Sequence, residues 1–154
     1  MKLRPYQETG VDFLCARKTA LLADDMGLGK TMQAIVAADT ADRYPIVVVC
    51  PSPVKDQWEG KFHVWSKDFL LTQVIRTGKD KIGPAHVYIV SFKLAKLLKG
   101  MAIETLIVDE AHYCKNIEAQ RTIDVLGKDG LGGQANRIWA LTGTPIFNRP
   151  MDLY

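Results

Sequence analysis

Two periods alternate along this chain. Short runs rich in β-branched and aromatic residues predict strands at 19–23 (TALLA), 46–50 (IVVVC), 71–75 (LTQVI), 87–90 (VYIV), 105–108 (TLIV) and 137–141 (RIWAL). Between them, apolar residues recur three and four apart. That spacing predicts helices at 5–16 and 30–39, the second with Met32, Ile35 and Val36 on one face. Ser52 and Pro53 read as an N-cap and a first-turn proline, ahead of Val54, Trp58, Phe62 and Trp65 at helical spacing. Shorter helices are expected at 92–98 and 117–126. The IVVVC run is apolar at both parities, the habit of a strand covered on both faces. Strands alternating with helices predict an α/β domain with a mostly parallel sheet.

Composition narrows the class without fixing it. The chain has 154 residues, 47% hydrophobic and 24% charged, enough for one domain with a real core. A net charge of +3 permits an anionic partner but supplies no dense basic arm. Cys15, Cys50 and Cys114 lie far apart with no Cys-x-x-Cys pair, which reads as free thiols in a reducing compartment. The start, MKLRPYQETG, has no apolar signal core, and no apolar run approaches the ~20 residues needed to cross a bilayer. The expectation is a soluble intracellular protein, with no internal repeat and no interdomain linker.

The first candidate chemistry is ADDMGLGKT, residues 23–31. A strand, a glycine turn and then Lys-Thr opening a helix make a phosphate cradle. Backbone N–H groups at the helix start face the anion, and the helix dipole adds to them. Asp25, Met26, Gly27, Leu28, Gly29, Lys30 and Thr31 form the expected nucleotide-binding stretch. Lys30 reaches the β- and γ-phosphates, and Thr31 offers a hydroxyl to Mg²⁺. Asp24 stands where the general P-loop pattern has its first glycine. The second candidate is LIVDEAH, residues 106–112, an apolar strand ending in two acids. Asp109 is suited to hold Mg²⁺ and Glu110 to orient and polarise an attacking water. Ligands of open α/β sheets bind at that end of the strands.

Taken together, the motifs resemble a known family. LRPYQETGVDFL (3–14), LADDMGLGKTMQAI (22–35), VVVCPSPVKDQWEGKF (47–62), YIVSF (88–92), IVDEAHYCKN (107–116) and LTGTPIFNRPMDLY (141–154) resemble successive motifs of the first RecA-like lobe of superfamily-two helicase-type ATPases. The narrower resemblance is to the Swi/Snf (Snf-two) group of double-stranded-DNA translocases. It implies a RecA-like P-loop NTPase lobe that uses ATP and Mg²⁺. It implies that Gln7 reads adenine, that His112 couples the ATP site to Thr142 and Thr144, and that Ser52, Lys55 and Ser91 touch DNA phosphates. It further implies a partner lobe, supplied in cis or in trans, whose arginine fingers complete the ATP site. Nothing in residues 1–154 resembles that second lobe, so the chain reads as a single lobe-one domain stopping early in the helix after the LTGTP motif. On that reading the isolated chain hydrolyses ATP hardly at all. The rival expectation is a nucleotide- or DNA-binding regulatory module without turnover. Other features take plainer readings: Trp58, Phe62 and Trp65 as core, GLGG (130–133) as a flexible connection, and Lys93, Lys96 and Lys99 as a solvated helix face.

Overall fold

The computed structural model describes residues 2–67 and 69–143. Helix α1 (Pro5–Cys15) leads into β1 (Thr19–Leu22), then α2 (Lys30–Ala41), β2 (Ile46–Cys50), α3 (Lys55–Trp65), β3 (Thr72–Val74), β4 (Val87–Ser91) and β5 (Ile103–Val108). Helix α4 (Gln120–Leu126), the single-turn α5 (Leu131–Gln134) and β6 (Ala135–Leu141) follow. The six strands form one sheet in the order β1-β6-β5-β2-β4-β3, and every pairing is parallel.

Strand β2 shows why the sheet sits where it does. All five of its residues are fully buried. Ile46, Val48 and Cys50 point to one face and pack in the core formed with α1, α2 and α3; Val47 and Val49 point to the other, among Val90, Leu106, Val125 and Leu131. Side chains alternate across a strand, so a strand covered on both sides must be apolar at both parities. Sealing the central strands in this way leaves polar chemistry to their ends. Because all strands run parallel, all six carboxyl ends lie on one edge of the sheet.

Several local expectations change. Residues Ser52–Val54 form a 3-10 turn with no side-chain cap, so α3 starts only at Lys55. The expected helix at 92–98 is a 3-10 turn, Ala95–Leu98. The helix expected at 117–126 begins at Gln120, and β5 and β6 each begin two residues earlier than their pattern predicts. The GLGG segment is not a loose connection. Gly130 caps α5, whose single turn packs so tightly on the end of α4 that a Cβ at Gly130 would overlap the Ile123 carbonyl oxygen. A Cβ at Gly133 would likewise overlap the Lys128 carbonyl oxygen. Close backbone approach, not mobility, explains those glycines.

Candidate functional site

The loop after β1 turns on two glycines with positive φ, Gly27 at 83° and Gly29 at 82°. Gly29 caps α2 in the left-handed region, where an L side chain is strained. It is also crowded: a Cβ there would stand 2.9 Å from Gln7 Nε2. The Lys30 ammonium folds back under the loop and donates to the carbonyl oxygens of Asp24 at 2.6 Å and Asp25 at 2.9 Å. Thr31 lies half-buried in the first turn of α2. Met26 is exposed, at 76%.

Two glutamines brace this loop. Gln7, 7% exposed on α1, donates to the Leu28 carbonyl at 3.2 Å and to the Tyr6 hydroxyl at 3.3 Å, while its Oε1 accepts from the Arg4 backbone N–H at 2.9 Å. Both amide donors of Gln7 are therefore engaged within the protein, so reading an adenine edge with donor and acceptor together requires one of them to be exchanged. Gln33, fully buried one turn into α2, donates at 3.3 Å to both Asp24 Oδ2 and the Leu28 carbonyl. No motif in the sequence marks Gln33. Its signal was a polar residue on the buried side of an otherwise apolar helix face.

The second motif sits on β5. The Asp109 N–H donates to the Val49 carbonyl at 2.8 Å, carrying the ladder with β2 one residue past the strand. Its carboxylate is held on both oxygens: Trp58 Nε1 donates to Oδ2 at 2.8 Å and the Glu110 N–H to Oδ1 at 3.0 Å. Both donors are neutral, and each oxygen keeps a lone pair for another partner. Glu110 has φ 51°, a left-handed backbone that a non-glycine residue rarely adopts. This twist ends the strand and starts the 3-10 turn Ala111–Cys114. His112 Nδ1 lies 3.2 Å from Glu110 Oε2 and 3.4 Å from Thr142 Oγ1. Thr142, 3% exposed, prolongs the β6–β1 ladder by donating its N–H to the Leu22 carbonyl at 3.1 Å. The expected partnership of His112 with Thr142 is thus met in space; Thr144 lies outside the described residues. At Gly143 an added Cβ would stand 2.7 Å from Met26 Cγ and 3.6 Å from Lys30 Nζ, so the end of β6 runs against the glycine loop.

The remaining strand ends carry the other expected contacts. Ser52 follows β2 and is exposed, and Ser91 closes β4 at 7% exposure. Both line a cleft of about 360 Å³ together with Arg76, Phe92, Lys93 and Leu94. Lys55 does not face that cleft. It is 5% exposed, and its ammonium donates to the Ile75 carbonyl at 2.8 Å, which corrects the expectation that it reaches phosphate. Arg76, just past β3, and Lys93 are exposed cations there, and Arg76 pairs with Asp56 at 2.7 Å. That hydrogen bond holds the Asp56 carboxyl below the usual carboxylate range. Of the three lysines expected on a solvated face, Lys99 instead bonds the mostly buried Asp124 at 2.7 Å, while Lys93 and Lys96 border a second recess of about 410 Å³ with Arg121.

Along the sheet edge the order is therefore Lys30 after β1, Thr142 after β6, Asp109 and Glu110 after β5, Ser52 after β2, Ser91 on β4 and Arg76 after β3. The donor set at one half suits a nucleotide and a hard cation: an ammonium, helix-start N–H groups, a threonine hydroxyl and a carboxylate held only by neutral donors. The thiols show no comparable activation. Burial, with the Asp109 charge adding to it, pushes Cys50 up to about 12, and burial pushes Cys114 up to about 11. Among the described residues no helix is long and apolar enough to cross a membrane.

Known proteins resemble this chain in sequence and in fold. The SNF2-related domain family matches residues 6–154. The SWI/SNF-related matrix-associated actin-dependent regulator of chromatin subfamily A-like protein 1 of Bos taurus is 43% identical over 160 residues, covering 99% of this chain. This chain spans only 17% of the length of that relative. Among solved structures, the SWI2/SNF2 ATPase core of Sulfolobus solfataricus in complex with dsDNA superposes with a TM-score of 0.81 at 28% identity, over 100% of this chain and 34% of that one. The UvsW helicase of bacteriophage T4 shares the fold, with a TM-score of 0.75 at 14% identity over 99% of this chain and 56% of that one. The six-stranded parallel sheet is that of a RecA-like lobe, and the chain belongs to the SNF2-related domain family.

Proposed function

We propose that this chain is the nucleotide-holding half of an ATP-driven double-stranded-DNA translocase, in which a second RecA-like lobe completes the ATP site. The observation that carries this reading is the order of side chains along one sheet edge, with nucleotide chemistry after β1, β6 and β5 and phosphate-binding chemistry after β2, β4 and β3. The likeness to a core solved with dsDNA supports it.

In this reading Lys30 exchanges the Asp24 and Asp25 carbonyls for the β- and γ-phosphates, while the loop N–H groups from Asp25 to Thr31 cradle them. Thr31 and Asp109 hold Mg²⁺, which when bound would neutralise charge developing on the phosphates. Glu110 orients and polarises the attacking water. Gln7 serves the adenine, giving up its Tyr6 contact. His112 joins the Glu110 side of the site to Thr142, and Thr144 extends that link. Ser52 and Ser91, with Arg76 and Lys93 in the same cleft, take phosphates of one DNA strand. Such contacts position the duplex without reading its sequence.

Isothermal titration tests the nucleotide half of the proposal. ATP with Mg²⁺ binds the native chain, and Lys30→Ala loses more affinity for ATP than for adenosine, because the ammonium serves phosphate and not base. Equal losses for both ligands, or no binding of ATP by the native chain, overturn the assignment.

A further inference from the structure

We propose that Trp58 is a positioning residue for Asp109: its indole N–H fixes the carboxylate in the rotamer from which the metal of a bound nucleotide is held. The inference rests on the reading of Asp109 as the metal-holding acid. It assigns a role to a tryptophan that the hydrophobic pattern alone places in the core.

Trp58 is 2% exposed, and its only polar atom donates to Asp109 Oδ2 at 2.8 Å across 51 residues of sequence. The other oxygen, Oδ1, accepts the adjacent Glu110 N–H at 3.0 Å. One donor on each oxygen stops the carboxylate from rotating. Each oxygen keeps a lone pair for another partner. A lysine or arginine in place of the indole would orient the carboxylate equally well, but it would neutralise the charge that attracts a cation. A neutral indole avoids that. Outer partners of this kind set the orientation of metal ligands.

The donor itself is rigidly placed. Helix α3 is tied down over its first five residues: Lys55 Nζ donates to the Ile75 carbonyl at 2.8 Å, Asp56 pairs with Arg76 at 2.7 Å and Glu59 Oε1 accepts from the Thr72 hydroxyl at 2.9 Å. Phe62, 1% exposed, packs beside the Trp58 ring at 6.1 Å between centroids. The buried ammonium of Lys55 thereby gains a purpose, since it holds the helix that aims the indole.

The test separates positioning from packing. Trp58→Phe keeps an aromatic ring and removes the N–H; Ile103→Ala makes a core lesion at the far end of β5, on the face of the sheet away from Trp58. ATP binding is titrated against Mg²⁺ for both, for Asp109→Asn and for the native chain, with thermal melting alongside. Trp58→Phe is expected to raise the half-saturating Mg²⁺ roughly tenfold while adenosine binding stays unchanged. Ile103→Ala is expected to lower the melting temperature and leave the Mg²⁺ requirement alone. If Asp109→Asn responds to Mg²⁺ like the native chain, the metal reading itself fails. If Asp109→Asn loses the response while Trp58→Phe keeps it, only the role of Trp58 fails. Should Trp58→Phe not fold, the native chain decides: its Trp58 indole N–H resonance must shift when Mg²⁺ joins bound nucleotide, and a stationary signal overturns the inference.

Discussion

The Lys30 ammonium and the Asp24 carbonyl oxygen stand 2.6 Å apart, so the residue assigned to phosphate also pins the loop that would receive it. A second bond, to Asp25 at 2.9 Å, strengthens the tie. Lys30→Met keeps the stem and deletes both bonds. Hydrogen bonds to a charged group contribute about 1.5–3 kcal/mol each where buried; at this half-exposed place a loss of about 1–2 kcal/mol in the ligand-free chain is expected. The upward shift of melting temperature with Mg²⁺ and ATP should vanish as well. Urea denaturation and melting curves read the two effects separately. An unchanged ligand-induced shift would count against Lys30 as the phosphate contact.

Gly27 and Gly29 share a positive φ but not their surroundings. Gly29→Ala meets Gln7 Nε2 at 2.9 Å, whereas Gly27→Ala meets nothing within 4 Å. Backbone strain alone costs roughly 1–2 kcal/mol at each. Gly29→Ala should therefore be the more destabilising, and its excess should shrink in a Gln7→Ala background, where the clash is removed. A double-mutant cycle in urea measures this. Equal costs at the two glycines would mean that Gln7 does not press on the loop.

Glu110 carries backbone strain at φ 51°. Strain at a site that performs chemistry is often retained for function. Glu110→Gly relieves it at the cost of chain entropy, so stability should stay level or rise by up to about 1 kcal/mol. Glu110→Gln should leave ATP affinity near that of the native chain, because a residue acting on water in the transition state contributes little to ground-state binding. A tenfold loss of affinity in Glu110→Gln, or a clear loss of stability in Glu110→Gly, would refute this division of labour.

What could be read from sequence was local, and what could not was tertiary. The parity of IVVVC announced a strand covered on both faces, and both candidate motifs are contiguous, so their elements and order were legible. The Trp58–Asp109 bond was not, because helical spacing says only that a tryptophan is buried and not where its N–H ends. Lys55 differs for the opposite reason: the resemblance implies a phosphate contact, and nothing local in the sequence reveals the Ile75 carbonyl that captures its ammonium. Gly130 and Gly133 resemble a flexible connection because a glycine that avoids a clash and one that lends mobility are the same letter. Arg76 gave no signal beyond its place after a strand, the position at which parallel sheets gather ligand contacts.

Cys50 gives the fold a pH dependence of known sign. Burial raises its thiol from the ordinary 9.0 to about 12. Above pH 9 the unfolded chain ionises this group while the folded chain does not. The unfolded state then binds fewer protons, and the stability present below pH 9 is lost as pH rises toward 12. The difference in unfolding free energy between the native chain and Cys50→Ala isolates this group. It should fall by about 2 kcal/mol between pH 8 and pH 10.5. A difference that does not change with pH would contradict the burial argument.

The central claim is that this chain holds ATP but needs a second lobe to hydrolyse it, and steady-state phosphate release with and without duplex DNA tests it most directly. An arginine finger is worth on the order of 10³–10⁵ in rate in related phosphoryl transfers, about 4–7 kcal/mol of barrier, and in this account it comes from the partner lobe. The prediction is turnover barely above a Lys30→Ala control, with no stimulation by DNA. Robust turnover that DNA stimulates and Lys30→Ala abolishes would show that the chain assembles a complete site by itself, and would contradict the account.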